Sequence, residues 1–494
     1  MARIKLDLDR KIGSVDRRIY GGFAEHLGRC IYGGIYEEGS PLSDEHGFRR
    51  DVMEAVRALR LPILRWPGGN FVSGYHWTDG IGPREKRPRK VDLAWFSEES
   101  NRFGTDEFIE YCRTIDTEPY ICVNMGTGTL DEAQAWVEYC NGTGNTYWAN
   151  LRRQNGHEEP YNVKYWGLGN EMYGPWQIGR LNAHDYVKKA IEFAKVMKWT
   201  DPAIELVSCG EIGWTEWERI VLEGLATYVN YHSVHIYTGS DDYYSNVFAP
   251  HQTERALRNC QALIDNVRFT QNIAHPIYVA YDEWNVWFRA REHETGLEER
   301  YTLADALAIA TYLNSFVRHC NTVKIANLAQ LVNVIAPIFT NKEGLFLQTI
   351  YHPLRLFSAY VQGTALEAFV DCDMYNLAAE TEPAPWSRRI SDLGPFQLLD
   401  VTATWNEASN EIVIAVVNRD REQAHTTSIQ LSDDVAVTNG IAYEVNGAYP
   451  DVVNSFEHPD EVAIKEHHLD LSGSNLKYVF APHSFTLLRL PLKR

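Results

Sequence analysis

No two cysteines in this chain are spaced as C-x-x-C, and no apolar run approaches the length of a membrane span. The first absence excludes zinc-finger and thioredoxin-like readings. The second excludes a transmembrane helix. The opening residues, MARIKLDLDRKIG, hold no apolar stretch of the secretory-signal kind, so no signal is expected. No G-x-G-x-x-G turn follows the first barrel-like strand, which argues against a dinucleotide-binding fold. Neither an H-E-x-x-H zinc motif nor a G-x-S-x-G nucleophile elbow occurs. Positive charge is also short, and the net charge is −19. A nucleic-acid partner calls for a basic footprint and is excluded. An anionic membrane surface and a highly acidic polysaccharide are disfavoured for the same reason.

What is present describes a large folded protein. The chain has 494 residues, 45% hydrophobic and 12% aromatic, which is too apolar for disorder and too long for one ordinary core. Several of the eight cysteines sit in apolar runs, such as Cys122 in YICVNMG and Cys209 in ELVSCG. Buried free thiols fit a reducing compartment, so a cytoplasmic location is expected.

Apolar periodicity divides the chain. Ile4, Leu6 and Leu8 alternate with Lys5, Asp7 and Asp9, the pattern of a half-buried strand. From about residue 17, short apolar runs alternate with amphipathic helical stretches. The runs are Ile19–Phe23, Ile63–Trp66, Tyr120–Asn124, Val163–Gly169, Glu205–Cys209, Ser233–Tyr237, Ile277–Tyr281 and Val323–Leu328. Eight strand–helix alternations predict an α/β fold, a (β/α)8 TIM barrel. Beyond a helix near Pro353–Val361 the texture becomes short strands separated by turn-formers. That predicts a C-terminal all-β antiparallel sandwich, which the N-terminal strand is expected to join. The expected domains are 17–365 for the barrel and 1–16 plus 366–494 for the sandwich.

A barrel of this kind carries its chemistry at the C-terminal ends of its strands. There the chain places Glu25-His26, Arg65 through Asn70, Asn170-Glu171, His235 through Tyr237, and Asp282 through Asn285. Glu171 and Glu283 lie in aromatic-rich settings, VKYWGLGNEMYG and IYVAYDEWNVW. One acid alone could be a solvated strand terminus. Two acids among aromatics are the equipment for splitting a glycosidic bond. One carboxyl gives a proton to the leaving oxygen, and the other attacks the sugar or activates water. Mutual repulsion is expected to keep one of them protonated. Arg65 could hold the attacking group ionised, and Tyr237 could donate to it. Asn170 can reach a sugar hydroxyl. His232 and His235 lie three apart on one strand and point to opposite faces, so they cannot share a metal ion. His235 is either a helper at the site or a satisfied core histidine.

The strings EHLGRCIYGGIYEEGSPLSDEHGFR, LRWPGGNFVSGYHWTDGIGP, GLGNEMYG and DEWNVW resemble glycoside hydrolase family 51. The resemblance runs through nearly the whole chain. It implies a retaining α-L-arabinofuranosidase of clan A, with a jelly-roll-like sandwich beside the barrel. By the motif match, Glu171 is the acid/base and Glu283 the nucleophile. Glu25, Asn70, Asn170, Tyr237, Gln348 and Trp95 match the family's sugar-pocket residues. The resemblance also implies an arabino-oligosaccharide substrate, no cofactor, no metal and a homohexamer. Relatives on the same fold leave β-xyloside and β-glucan substrates open. A non-catalytic carbohydrate-binding protein is disfavoured, because binding alone does not require two opposed carboxylates. The charged segment from Trp287 to Leu303 is expected to overhang the leaving-group side.

Overall fold

The structure, a computed structural model, describes residues 2–290, 296–378, 389–432 and 435–493. Eight parallel strands close into a barrel: Gly21–Phe23, Ile63–Trp66, Glu118–Val123, Tyr165–Leu168, Glu205–Ser208, Tyr231–Thr238, Tyr278–Val286 and Val323–Ala329. They are referred to below as barrel strands one to eight. Each pairs with its neighbours in sequence, and strand eight closes on strand one through Asn327 against Gly21. Closure removes the sheet edges. Ile63, Tyr120, Tyr165, Val207, Tyr231, Ala280 and Ile325 pack as an apolar plug inside the barrel. Most of them lie early in their strands, which leaves the later positions to polar side chains.

Three expectations need correction. The first apolar run is strand only at Gly21–Phe23, because Arg17–Tyr20 forms a 3-10 turn. Asp16 caps that turn by accepting from the Arg18 backbone N–H. Strand seven continues past Tyr281 to Val286, so Glu283 lies within the strand and not beyond it. Its register against strand six shifts between Ala280 and Glu283. A bulge of this kind re-aims side chains. Third, the second sheet is not wholly antiparallel.

Among the described residues that sheet has nine strands. The N-terminal strand Ala2–Ser14 lies inside it, antiparallel to Thr364–Asp371 and parallel to His425–Leu431. Ile4 and Leu6 face a core shared with Leu366, Val401, Ile414, Ile429 and Leu488. The sequence pattern marks strands at Ala403–Trp405, Ile412–Val417, Ser428–Leu431, Ile441–Val445 and Phe485–Leu490, and Thr364–Asp371, Ala463–Gly473 and Asn475–Phe480 lie outside it. Ala463–Gly473 is an edge strand with Glu466, His467 and His468 exposed, and charge on an edge blocks further pairing.

One helix joins the two layers. Every residue from Leu303 to Val317 is buried, as expected of a helix apolar on all sides. Its Asn314 amide donates to Asp400 at 3.0 Å, and Arg318 bridges Asp400 at 2.9 Å and Glu254 at 2.7 Å. The sheet is thereby anchored to the barrel helices. Part of the overhanging segment, residues 291–295, lies outside the described residues.

The N-terminal strand should therefore matter in one face only. Ile4→Ala is expected to cost about 2–5 kcal/mol of stability, the range for deleting a buried branched side chain. Lys5→Ala, on the exposed face, should stay within about 0.5 kcal/mol. Thermal and urea unfolding of the two variants would read this directly. Equal effects would contradict the register.

Candidate active site

Arg65, at the third position of strand two, is 1% exposed. Its guanidinium lies over the Phe23 ring at 4.5 Å. One arm donates to Glu283 Oε2 at 2.9 Å and the Asp282 carbonyl at 3.3 Å. The other donates to Asn170 Oδ1 at 2.5 Å. A single planar cation thus ties strands two, four and seven together. Tyr237 donates to the other oxygen of Glu283 at 2.7 Å. Trp287 packs edge-on against the Tyr237 ring.

Glu171 follows strand four with φ 44, a left-handed backbone that is rare outside glycine. Such strain costs about 1–3 kcal/mol and collects at functional sites. His235 Nδ1 lies 3.0 Å from Glu171 Oε1, and the Tyr173 hydroxyl donates to the same oxygen at 3.3 Å. The Trp176 indole donates to Oε2 at 2.6 Å. One oxygen of Glu171, one of Glu283 and a ring nitrogen of His235 lie within 4.8 Å of one another. A cation could use that spacing. Both nitrogens of His235 face carboxyl groups, however, with Nε2 3.2 Å from Asp282, and a doubly protonated ring has no lone pair to give.

The electrostatics differ from the sequence expectation. Burial works against a charged His235, but Glu283, Asp282 and Glu171 outweigh it and lift its pKa to about 10. Burial would likewise raise Glu171, yet His235, Trp176 and Arg65 hold it below the ordinary carboxylate value. The imidazole beside Glu171 and Asp282 therefore carries a proton. Burial also opposes ionisation of Asp282, while Arg65, His235 and Ser233 keep it well below the usual range. Asp282 accepts from Tyr120 at 2.6 Å and Ser233 at 2.5 Å.

Glu25 forms the opposite wall and is 3% exposed. It accepts from the Phe71 backbone N–H and the Trp95 indole, both at 3.0 Å, and from Gln330 at 2.9 Å. Burial, with the Glu283 charge adding to it, pushes its pKa up to about 8. Gly68 at φ 157 lets the turn pass, since a Cβ there would lie 2.5 Å from Glu25 Cγ. A Cβ on Gly69 would sit 3.4 Å from Glu25, 3.5 Å from Glu283 and 3.6 Å from Asn170. That position looks onto all three, and Asn70 follows it half-buried.

The structure thus brings Arg65, Asn170, Glu171, Tyr237 and Glu283 into one network through Arg65 and His235, and places Glu25 with Trp95 beside it around Gly69. Gln348 is not part of it. Its amide donates to the Glu299 and Ala336 carbonyls at 2.9 and 2.8 Å and accepts from the Tyr301 N–H at 3.1 Å. It braces the wall, and Gln330 is the glutamine that touches Glu25. Asp282, Trp176 and Gln330 carry contacts that the sequence reading did not assign. Asp282 had a visible signal, its adjacency to Glu283. Trp176 and Gln330 had none beyond lying near strand ends.

The raised Glu25 pKa has a stability consequence. Its folded value of about 8 lies above its ordinary 4.5, so folding favours the neutral form and ionisation opposes it. The cost therefore grows as pH rises from 4.5 to 8. Glu25→Gln removes the titration, and its melting temperature should gain on the parent as pH rises through that window. A constant difference between the two proteins would contradict the assignment.

Comparison with known proteins agrees with the geometry. A model described as "Alpha-L-arabinofuranosidase 1 domain" matches residues 55–255, and one described as "Alpha-L-arabinofuranosidase C-terminal domain" matches 282–484. The chain is 45% identical to alpha-L-arabinofuranosidase C of Emericella nidulans, covering 98% of this chain and 97% of that protein. It is 41% identical to an intracellular exo-alpha-(1->5)-L-arabinofuranosidase of Halalkalibacterium halodurans, covering 89% and 88%. The crystal structure of an alpha-L-arabinofuranosidase from Thermotoga maritima in complex with arabinose superposes with a TM-score of 0.91 at 42% identity, covering 99% of each chain. Barrel, strand-end carboxyl groups and relatives converge: the chain belongs to the α-L-arabinofuranosidases of glycoside hydrolase family 51.

Proposed function

We propose that this protein is a retaining, exo-acting α-L-arabinofuranosidase that releases terminal L-arabinofuranose from arabino-oligosaccharides. The observation that carries the retaining step is the separation of the two glutamates, with one oxygen of each within 4.8 Å of the other. Retaining glycosidases hold the pair about 5–5.5 Å apart, whereas inverting ones need about 6.5–9.5 Å to admit water.

Glu283 is the nucleophile. Arg65 and Tyr237 donate to its two oxygens and hold it in place. It attacks the anomeric carbon, and the bond to the leaving oxygen breaks as Glu171 gives that oxygen a proton. An ester between Glu283 and the furanose results. Glu171, now ionised, takes a proton from water, whose oxygen attacks the same carbon and displaces Glu283. Two inversions leave the configuration retained. Glu25, Asn70 and Asn170 line the place of the sugar hydroxyls, with Trp95 beside Glu25. The α-1,5 linkage in the Halalkalibacterium relative's name supports arabinan-derived oligosaccharides as substrate.

The same reading extends to the setting of the enzyme. A cytoplasmic location is supported by that relative's name and by cysteines that are all free, seven of them buried. The division into 17–365 and 1–16 plus 366–494 is supported by the strand pairing. A homohexamer follows from the family resemblance, and light scattering of the purified protein tests it.

Glu283→Ala is expected to abolish nearly all turnover of an aryl α-L-arabinofuranoside. Azide should restore part of it and yield the β-arabinofuranosyl azide, because a small anion then attacks from the vacated face. Intact turnover in the variant, or no azide product, would remove Glu283 from the role. Hydrolysis of β-xylosides in place of α-L-arabinofuranosides by the parent would move the substrate.

A further inference from the structure

The two oxygens of Glu171 face different surroundings. Oε1 points inward, to His235 and Tyr173. Oε2 points outward and accepts from the Trp176 indole at 2.6 Å, although Trp176 is 42% exposed. Burial of a hydrogen-bonding tryptophan is common, but here the ring lies at the surface with its N–H turned onto a carboxylate. A carboxyl oxygen that accepts an N–H at this distance cannot also carry a proton pointing the same way. The outward oxygen is also the one open to a leaving group, since the inward one is enclosed by His235.

We propose that Trp176 gates the proton on Glu171: its indole holds the outward oxygen as an acceptor until the leaving-group sugar displaces it. The inference rests on the acid/base role given to Glu171 above. Displacement removes one donor from the carboxylate, and Oε2 then takes up from solvent the proton that it gives to the glycosidic oxygen. The freed indole lies beside the incoming sugar and offers it an aromatic face. When the leaving group departs, ionised Glu171 takes the proton of the attacking water at Oε2, and the indole returns once that proton has passed to solvent. Proton uptake is thereby tied to occupancy of the subsite beyond the scissile bond.

The packing of the loop sets where the ring rests. Trp176 sits between Glu171 and the helix Ala183–Thr200, with its ring edge-on to Tyr173 at 6.1 Å. Gly174 makes room for it, because a Cβ there would lie 2.4 Å from the indole ring. The charged and titratable groups facing Glu171 come from several elements: Arg65 from strand two, His235 and Tyr237 from strand six, Glu283 from strand seven, Cys209 after strand five, and Tyr173 from its own loop. All except Tyr173 lie off the Trp176 loop and stay in place when the indole moves.

The test uses the full chain and two substrates. α-1,5-Arabinobiose needs its leaving oxygen protonated, and 2,4-dinitrophenyl α-L-arabinofuranoside does not. Trp176→Phe keeps the ring and removes the donor, so Glu171 should stay protonated to higher pH. The alkaline limb of kcat/KM for arabinobiose is expected to move up by about one pH unit, and KM to rise several-fold. The dinitrophenyl profile should keep its limb. Gly174→Ala retains the indole and pushes it aside, and it should move the arabinobiose limb in the same direction. An unmoved limb in both variants would overturn the gate, even with a raised KM, since that would reduce Trp176 to a stacking surface. Glu171→Ala separates the two readings. It should lower kcat/KM for arabinobiose by about 10²–10⁴-fold while leaving kcat/KM for the dinitrophenyl substrate, whose first step needs no acid, near the parent value. Equal loss on both would sink the acid/base role itself.

Discussion

Everything at the site is arranged around one buried guanidinium. Arg65 has almost no contact with solvent, yet it reaches Glu283, Asn170 and the Asp282 backbone from strand two. A buried cation is tolerated only when its charge is met. The carboxyl groups of Asp282 and Glu283 supply the charge. Removing a partner from such a cluster costs about 3–5 kcal/mol, because it strands the remaining charge. The cluster is therefore as much a condition of the barrel's closure as of its chemistry. Lysine could not replace Arg65, since an ammonium cannot present two arms in a fixed plane.

His235 completes this arrangement as a second cation. Its ring stands between Glu171 and Asp282, with Glu283 within 3.6 Å. Two cationic side chains thus face three carboxyl groups at the strand ends. Positive charge that develops on a furanose ring in the transition state arrives in a field already prepared for it. Glu25 lies across the pocket in a drier setting and keeps its proton to about pH 8. The pocket therefore sets a neutral Glu25 beside the ion cluster of Arg65, His235, Glu171 and Asp282.

Much of this was legible in the chain, for physical reasons. Parallel barrel strands are buried on both faces, so runs such as Ile63–Trp66 stand out as continuous apolar segments. Their ends must turn polar, which marked Glu25, Arg65, Asn170, Glu171, Tyr237 and Glu283. What escaped depended on contacts distant in sequence. Ile19 and Tyr20 are buried whether they form strand or 3-10 turn, so periodicity could not separate the two. The edge strand Ala463–Gly473 hid because edges carry charge instead of alternation. The Gln348 amide turned to Glu299, Ala336 and Tyr301, a choice that no motif position reveals. The proton's place on His235 depends on three carboxyl groups from two other elements.

The central chemical event is a covalent ester between Glu283 and the furanose, with Glu171 held close beside it. Methanol offers the most direct probe, because a trapped methyl glycoside cannot mutarotate. Proton NMR of products formed from an aryl α-L-arabinofuranoside in dilute methanol should show methyl α-L-arabinofuranoside. The methyl β-anomer would mean direct displacement at the anomeric carbon and would contradict the roles given to Glu171 and Glu283.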